Sequence, residues 1–197
     1  MPYTAEHKLK TRERIVESAR ALFNRRGFVE VSIDEIMAHA GLTRGGFYNH
    51  FPSKEDLFVE VVGAYQHFNP AARWDGVEFD PCSGGSTFAR QLINVYLSRI
   101  HLDDVDGHCP MISLPSDVAH AGPRVKEAYR KLVEGMTGVF AAGMPHANGD
   151  AQQRGLALTA LCVGSMVLAR TFEDHAFRDE IREAARTMAL ELVDGPA

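Results

Sequence analysis

Between Gly27 and Asp56 the sequence stops and restarts a helix three times, and only a fold with several short helices in succession accommodates that. Gly27 follows Arg25-Arg26 as the residue after a helix, with Phe28 placed for the apolar contact of a Schellman ending. Ser32 and Glu35 have capping-box spacing, and Val31 and Ile36 have that of a hydrophobic staple. Two separate start signals thus predict a second helix from near Ile33. Gly41 ends it after about two turns. Thr43 is the next N-cap candidate, Pro52 closes that third helix, and Ser53 with Asp56 caps a fourth.

The same periodicity runs to both ends of the chain. Ile15, Ala19, Leu22 and Phe23 form one face of a first helix, and Leu57, Phe58, Val61, Val62 and Tyr65 the stripe of the fourth. Further stripes are Phe88, Leu92, Tyr96 and Ile100, then Val125, Tyr129, Leu132, Met136 and Phe140. A nearly all-apolar helix over 151–172 and an amphipathic one with Phe177, Ile181, Ala185, Met188 and Leu192 complete the chain. Residues 69–86, 101–110 and 144–150 read as connections, and no strand alternation occurs, so the fold class predicted is all-α.

The net charge of −5 lies wholly within residues 61–197, whereas residues 1–26 carry seven basic and three acidic side chains. A locally basic front end on an acidic body suits a partner that meets only the front. The longest apolar run, Gly155–Ala169, falls short of the roughly 20 residues that a membrane span needs. No signal peptide is legible, so no membrane partner is expected. Three irregularly spaced cysteines argue against a disulfide framework and fit a reducing, cytoplasmic setting.

Two short helices joined through Gly41 have the layout of a helix-turn-helix, whose second helix offers its N-terminal residues to base edges in the major groove. Gly45 and Gly46 let the backbone approach DNA at a cost that a functional site tolerates. Arg44 suits guanine O6 and N7, and Asn49 suits adenine or backbone. Thr43, Tyr48, His50 and Lys54 suit phosphates, which set register. Phe47 and Phe51 are expected to face inward.

The segment "VSIDEIMAHAGLTRGGFYNHFPSKEDLF" resembles the DNA-binding segment of the TetR family of bacterial transcriptional regulators, over roughly residues 8–62. The resemblance implies a helix-turn-helix DNA-binding domain over 1–53, a linking helix over 54–75 and a helical ligand-binding and dimerisation domain over 76–197. It implies a homodimer joined through the last two helices, about 151–193, on a pseudo-palindromic double-stranded operator, usually as a repressor and released by a small-molecule inducer. The family's phosphate-contacting positions fall on Thr43, Tyr48, His50 and Lys54, and its base-reading positions on Arg44, Gly45 and Asn49. Gly46 departs from the family pattern, which often has a side chain there, and leaves more of the specificity to Arg44 and Asn49.

Phe88, Leu92, Tyr96, Tyr129, Met136 and Phe140 supply apolar and aromatic material for an inducer pocket, and each also reads as plain core. His101, Asp103, Asp104, Asp106, His108 and Cys109 lack the spacing of a metal site and read as a solvated acidic loop. No catalytic residue, cofactor or metal is expected, and an enzyme is not. The alternatives are a protein–protein interaction module that uses the helix-turn-helix as scaffold, and a small metal-dependent hydrolase. Pro110 reads as N1 of a short helix running towards Ala121, which puts Cys109 at a helix N-terminus that favours a thiolate, with Asp104 and Asp106 opposing. The segment also resembles a Gly-Cys motif of some TetR-family members, certain of which sense electrophiles through that cysteine, although here His108 stands between Gly107 and Cys109. On that reading Cys109 reacts before Cys82 and Cys162; the alternative is a small buried hydrophobe beside a loop.

Overall fold

The computed structural model describes residues 5–67, 69–144 and 149–195, and among them the regular structure is entirely helical. Four of the residues expected in the connection 144–150, namely 145–148, lie outside the described residues. The chain divides into two compact units: the described residues of Met1–Tyr65 with Val105–Tyr129, and those of Gln66–Asp104 with Arg130–Ala197. This division differs from the contiguous one read from the sequence, because Val105–Tyr129 joins the head.

The head contains α1 (Ala5–Arg26), α2 (Ile33–His39), a 3-10 helix (Arg44–Asn49) and α3 (Lys54–Ala64). Each boundary has a local cause. Gly27 adopts φ 81° and its N–H donates to Phe23 O at 2.8 Å, which ends α1. Ser32 and Glu35 form the full capping box of α2. Gly41, at φ 65°, ends α2 in a Schellman turn: Gly41 N–H donates to Ala38 O and Leu42 N–H to Met37 O at 2.8 Å. At the centre Phe28 and Phe58 stack with centroids 4.4 Å apart, and Phe23 meets both edge to face. Fully buried Ile15, Ile36, Phe47 and Leu57 extend that core.

Hydrogen bonds to the end of α1 draw Val105–Tyr129 into this unit. Asn24 Nδ2 donates to the carbonyls of Asp106 and His108 at 3.0 Å each, Arg25 clasps the Asp106 carboxylate, and Arg20 donates to Asp106 O. Asp117 accepts from Phe28 N–H at 2.9 Å. The helix expected from Pro110 to Ala121 is broken into α7 (Pro110–Ser113) and α8 (Pro115–His120). Pro115 has no N–H to donate to Met111 O, four residues back. That carbonyl receives the Tyr129 hydroxyl at 3.5 Å instead.

The second unit contains α4 (Pro70–Arg73), α5 (Gly85–Tyr96), α6 (Arg99–Asp103), most of α9 (Pro123–Gly143), α10 (Ala151–Ala169) and α11 (His175–Asp194). α4 lies within the stretch read as a bare connection, and α3 ends well before the expected end of the linking helix. The stripe expected through Ile100 is cut at Leu97. The buried positions are Ala89, Ile93, Val95, Tyr96 and Leu97, while Ile100 is exposed. Buried Arg182 on α11 donates to Leu97 O at 2.5 Å and pairs with Asp179, which satisfies the frayed end of α5. α10 packs closely on α9: a Cβ at Gly155 would stand 2.6 Å from Thr137 O, so only glycine fits.

Candidate nucleic-acid interface

The turn through Gly41 presents the segment Thr43–His50 with its two sides clearly divided. Phe47 and Phe51 are buried, as expected, and hold the segment on the core. Thr43, Arg44, Gly45, Tyr48 and Asn49 are exposed, and Gly46 and His50 are half-buried. The helix is 3-10 rather than α, bonded from Gly46 N–H to Thr43 O and from His50 N–H to Phe47 O, a pattern suited to so short a piece. Thr43, which is exposed, occupies the N-cap position without capping through its hydroxyl, which corrects the expectation of a side-chain cap.

The two glycines differ in what surrounds them. A Cβ at Gly46 would meet Met37 Cε at 3.6 Å, an ordinary contact, and one at Gly45 would meet nothing within 4 Å. Neither adopts positive φ. The protein's own packing therefore does not require a glycine at 45.

The charged members are held in place. Arg44 Nη1 donates to Asp34 Oδ2 at 2.9 Å. Lys54 Nζ lies over the Phe28 ring at 4.4 Å and donates to Val29 O at 3.4 Å. Burial lowers the Lys54 pKa, against the opposing pull of Asp117, Glu35 and Glu30. An ammonium has three donors, so the Val29 contact does not exhaust it. Burial also lowers the His50 pKa, aided by the charges of Lys8, Arg12 and His7, so His50 faces its surroundings as a neutral imidazole. Arg12 was missed in the sequence: it bonds Glu60 and the carbonyl of His50 and covers the Phe51 ring at 4.0 Å, tying α1 to the end of the exposed segment. Its partners are 38 and 48 residues away, which no local pattern reveals.

Residues 15–61 match the family described as bacterial regulatory proteins, tetR family. Residues 15–61 thus form a head of the TetR family. The chain is 41% identical over 58 residues to the transcriptional regulator AcrR of Shigella flexneri, covering 29% of this chain and 27% of AcrR. It is 38% identical over 63 residues to the transcriptional repressor BepR of Brucella suis, covering 32% and 30%. The chain thus spans less than a third of these relatives' own length in the matches. Among solved structures it is similar to the reduced form of Escherichia coli NemR, with a TM-score of 0.71 at 19% identity over 91% of this chain and 95% of that one. It is likewise similar to a TetR regulator of Legionella pneumophila, with a TM-score of 0.69 at 19% identity over 95% and 99%. At that identity the likeness concerns the fold: a helix-turn-helix head and a helical body.

The six candidate pocket residues do not fall in one unit. Tyr129 belongs with the head, and Phe88, Leu92, Tyr96, Met136 and Phe140 with the second unit, where Tyr96, Met136 and Phe140 are buried core. The acidic stretch is not a solvated loop, because His101, His108 and Cys109 are buried and its carboxylates are tied to cations. Asp104 holds Arg73 and Trp74 Nε1, the latter at 2.8 Å, and Asp103 holds Arg178. Trp74 was passed over in the sequence, although a lone tryptophan in a polar connection is a signal worth weighing. Cys109 precedes a helix of only four residues and is fully buried, whereas Cys82 is exposed. That burial fits the alternative of a small buried hydrophobe rather than a sensor, and on access Cys82 precedes Cys109.

Among the described residues no helix is long and apolar enough to cross a membrane, and no group of three or more His, Cys, Asp or Glu is placed to hold a metal.

Proposed function

We propose that the chain is a ligand-responsive transcriptional regulator, a repressor in its usual mode, that binds a pseudo-palindromic operator as a cytoplasmic homodimer. The observation that carries this is Gly45: an exposed glycine, in open space, at the start of a helix whose outward side chains are Arg44, Tyr48 and Asn49. A residue without a Cβ where the protein has room for one answers to an outside surface, and base edges and phosphates in a major groove are such a surface. Arg44, Gly45 and Asn49 then face bases. Thr43, Tyr48, His50 and Lys54 meet phosphates, with His50 donating as a neutral ring. Gly46 adds backbone approach rather than a contact of its own.

Dimerisation is supported by α10 and α11. Each buries one face within the chain and leaves Leu156, Leu168, Phe172, Phe177 and Met188 exposed on or between them. A second copy of the pair would cover that surface, and a two-fold dimer suits half-sites one DNA turn apart, about 34–36 Å. An inducer that prefers one spacing of the heads shifts the population by its differential affinity. The test is selection of duplexes from a random-sequence library by the full-length protein, followed by footprinting. A palindrome with half-sites one turn apart is the expected result, and enrichment of no sequence refutes the reading.

A further inference from the structure

Asp34 is not among the residues that face a base or phosphate, yet it holds the one arginine that does. Arg44 Nη1 and Asp34 Oδ2 are 2.9 Å apart, with side chains 68% and 56% exposed. The neighbouring Glu35 is fully committed elsewhere. One oxygen accepts from Arg26 at 2.7 Å, and the other accepts from the Ser32 backbone and hydroxyl at 2.8 Å each. Asp34 is therefore the carboxylate of the first turn of α2 left for Arg44.

The pair adds little to folding. Exposed ion pairs contribute about 0–1 kcal/mol. The two elements it joins are already locked by the Gly41 turn and by buried Phe47 and Met37. Its effect lies in where the guanidinium points and what else it can reach. A guanidinium is a rigid planar fork of five donors, so fixing one Nη by a carboxylate orients the rest. Without that hold, a long exposed arginine at a DNA surface turns to the nearest phosphate, which is present on every sequence. With it, the swing forfeits the pair and brings a second negative charge against the backbone.

We infer that Asp34 is a positioning and specificity-determining residue: it holds Arg44 towards the base edge and penalises its use as a general phosphate contact. Discrimination then comes from raising the cost of wrong sites rather than from tightening the right one. This rests on the reading of Arg44 as the base-facing residue.

The test uses the full-length protein, a duplex that it selects from a random-sequence library, and a scrambled duplex of the same composition. For Asp34→Asn, affinity for the scrambled duplex is expected to rise about three- to tenfold at low salt, and its salt slope to steepen by about one. Affinity for the selected duplex is expected to change less than about twofold, so the ratio of the two falls. Base preference at the position that Arg44 faces should flatten, and Asp34→Glu should restore both the ratio and the preference. A merely structural role would weaken binding to both duplexes alike, and that result overturns the inference. So does an unchanged scrambled-duplex slope in Asp34→Asn. Arg44→Ala separates the two failures. If it abolishes the preference while Asp34→Asn leaves it intact, only the inference falls. If Arg44→Ala leaves the preference untouched, the assignment of Arg44 falls with it.

Discussion

Gly45 and Cys109 carry residue types that invite a functional reading, and their surroundings separate them. At Gly45 a methyl group meets no protein atom and the backbone needs no positive φ. Gly45→Ala should therefore leave thermal stability unchanged, or raise it by up to about 1 kcal/mol. Operator affinity, read by fluorescence anisotropy, should fall, and a variant that lost both stability and binding would place the requirement inside the fold. At Cys109 burial decides the matter. Cys82 is exposed, whereas burial excludes reagent from Cys109 and pushes the Cys162 thiol up to about 12. A thiol reacts as its thiolate, so limited maleimide labelling followed by peptide mapping should find Cys82 first and Cys162 last. Labelling of Cys109 ahead of Cys82 would reveal an opening of the 105–117 segment faster than the reaction.

At the scale of elements, α2 depends on its N-terminus more than on its seven residues. The Ser32 backbone N–H, the Arg26 guanidinium and the Ser32 hydroxyl hold the Glu35 carboxyl down to about 2. Ser32→Ala should cost about 1 kcal/mol in urea unfolding, as for other caps. The charge on Glu35 adds stability that is fully present above its ordinary, unfolded range and is lost as pH falls from there towards about 2. The stability difference between the wild type and Glu35→Gln should accordingly be present at neutral pH and shrink through that acid window. A difference that stayed constant down to about 2 would mean that the charge is not what matters.

For the whole molecule, α10 presents two unlike sides. Gly155, Leu158, Thr159, Cys162 and Met166 are buried within the chain, with Thr159 hydroxyl 3.2 Å from that of Thr137. The opposite side carries Leu156 and Leu168, and Gly164 there has nothing within 4 Å of a Cβ. Phe172 and Phe177 meet edge to face beside it at 4.9 Å. If a second copy covers this side, Leu168→Glu with Phe177→Glu should give a monomer by light scattering, with the head's thermal unfolding intact and operator affinity lost with the second half-site. A wild type that is monomeric at micromolar concentration would remove the dimer from the proposal.

By itself the sequence determined whatever depends on neighbours a few residues apart. The caps at Ser32 and Ser53, the glycine stops at Gly27 and Gly41, the inward Phe47 and Phe51 and the division of the head into short helices all obey local hydrogen-bond and rotation rules. The exposure of Arg44, Tyr48 and Asn49 opposite buried Phe47 accords with the same local rules. Tertiary structure decided what depends on distant partners. Asn24 and Arg25 claim residues more than 80 positions away and so move Val105–Tyr129 into the head. Arg182 lies 85 positions from the Leu97 carbonyl that it satisfies. Burial removes Cys109 from reagent. Arg44 meets Asp34 across a turn whose path the sequence indicates but whose side-chain pairing it does not. A cap is settled by a few bonds within one segment, whereas a pairing across the fold depends on every element that brings its partners together.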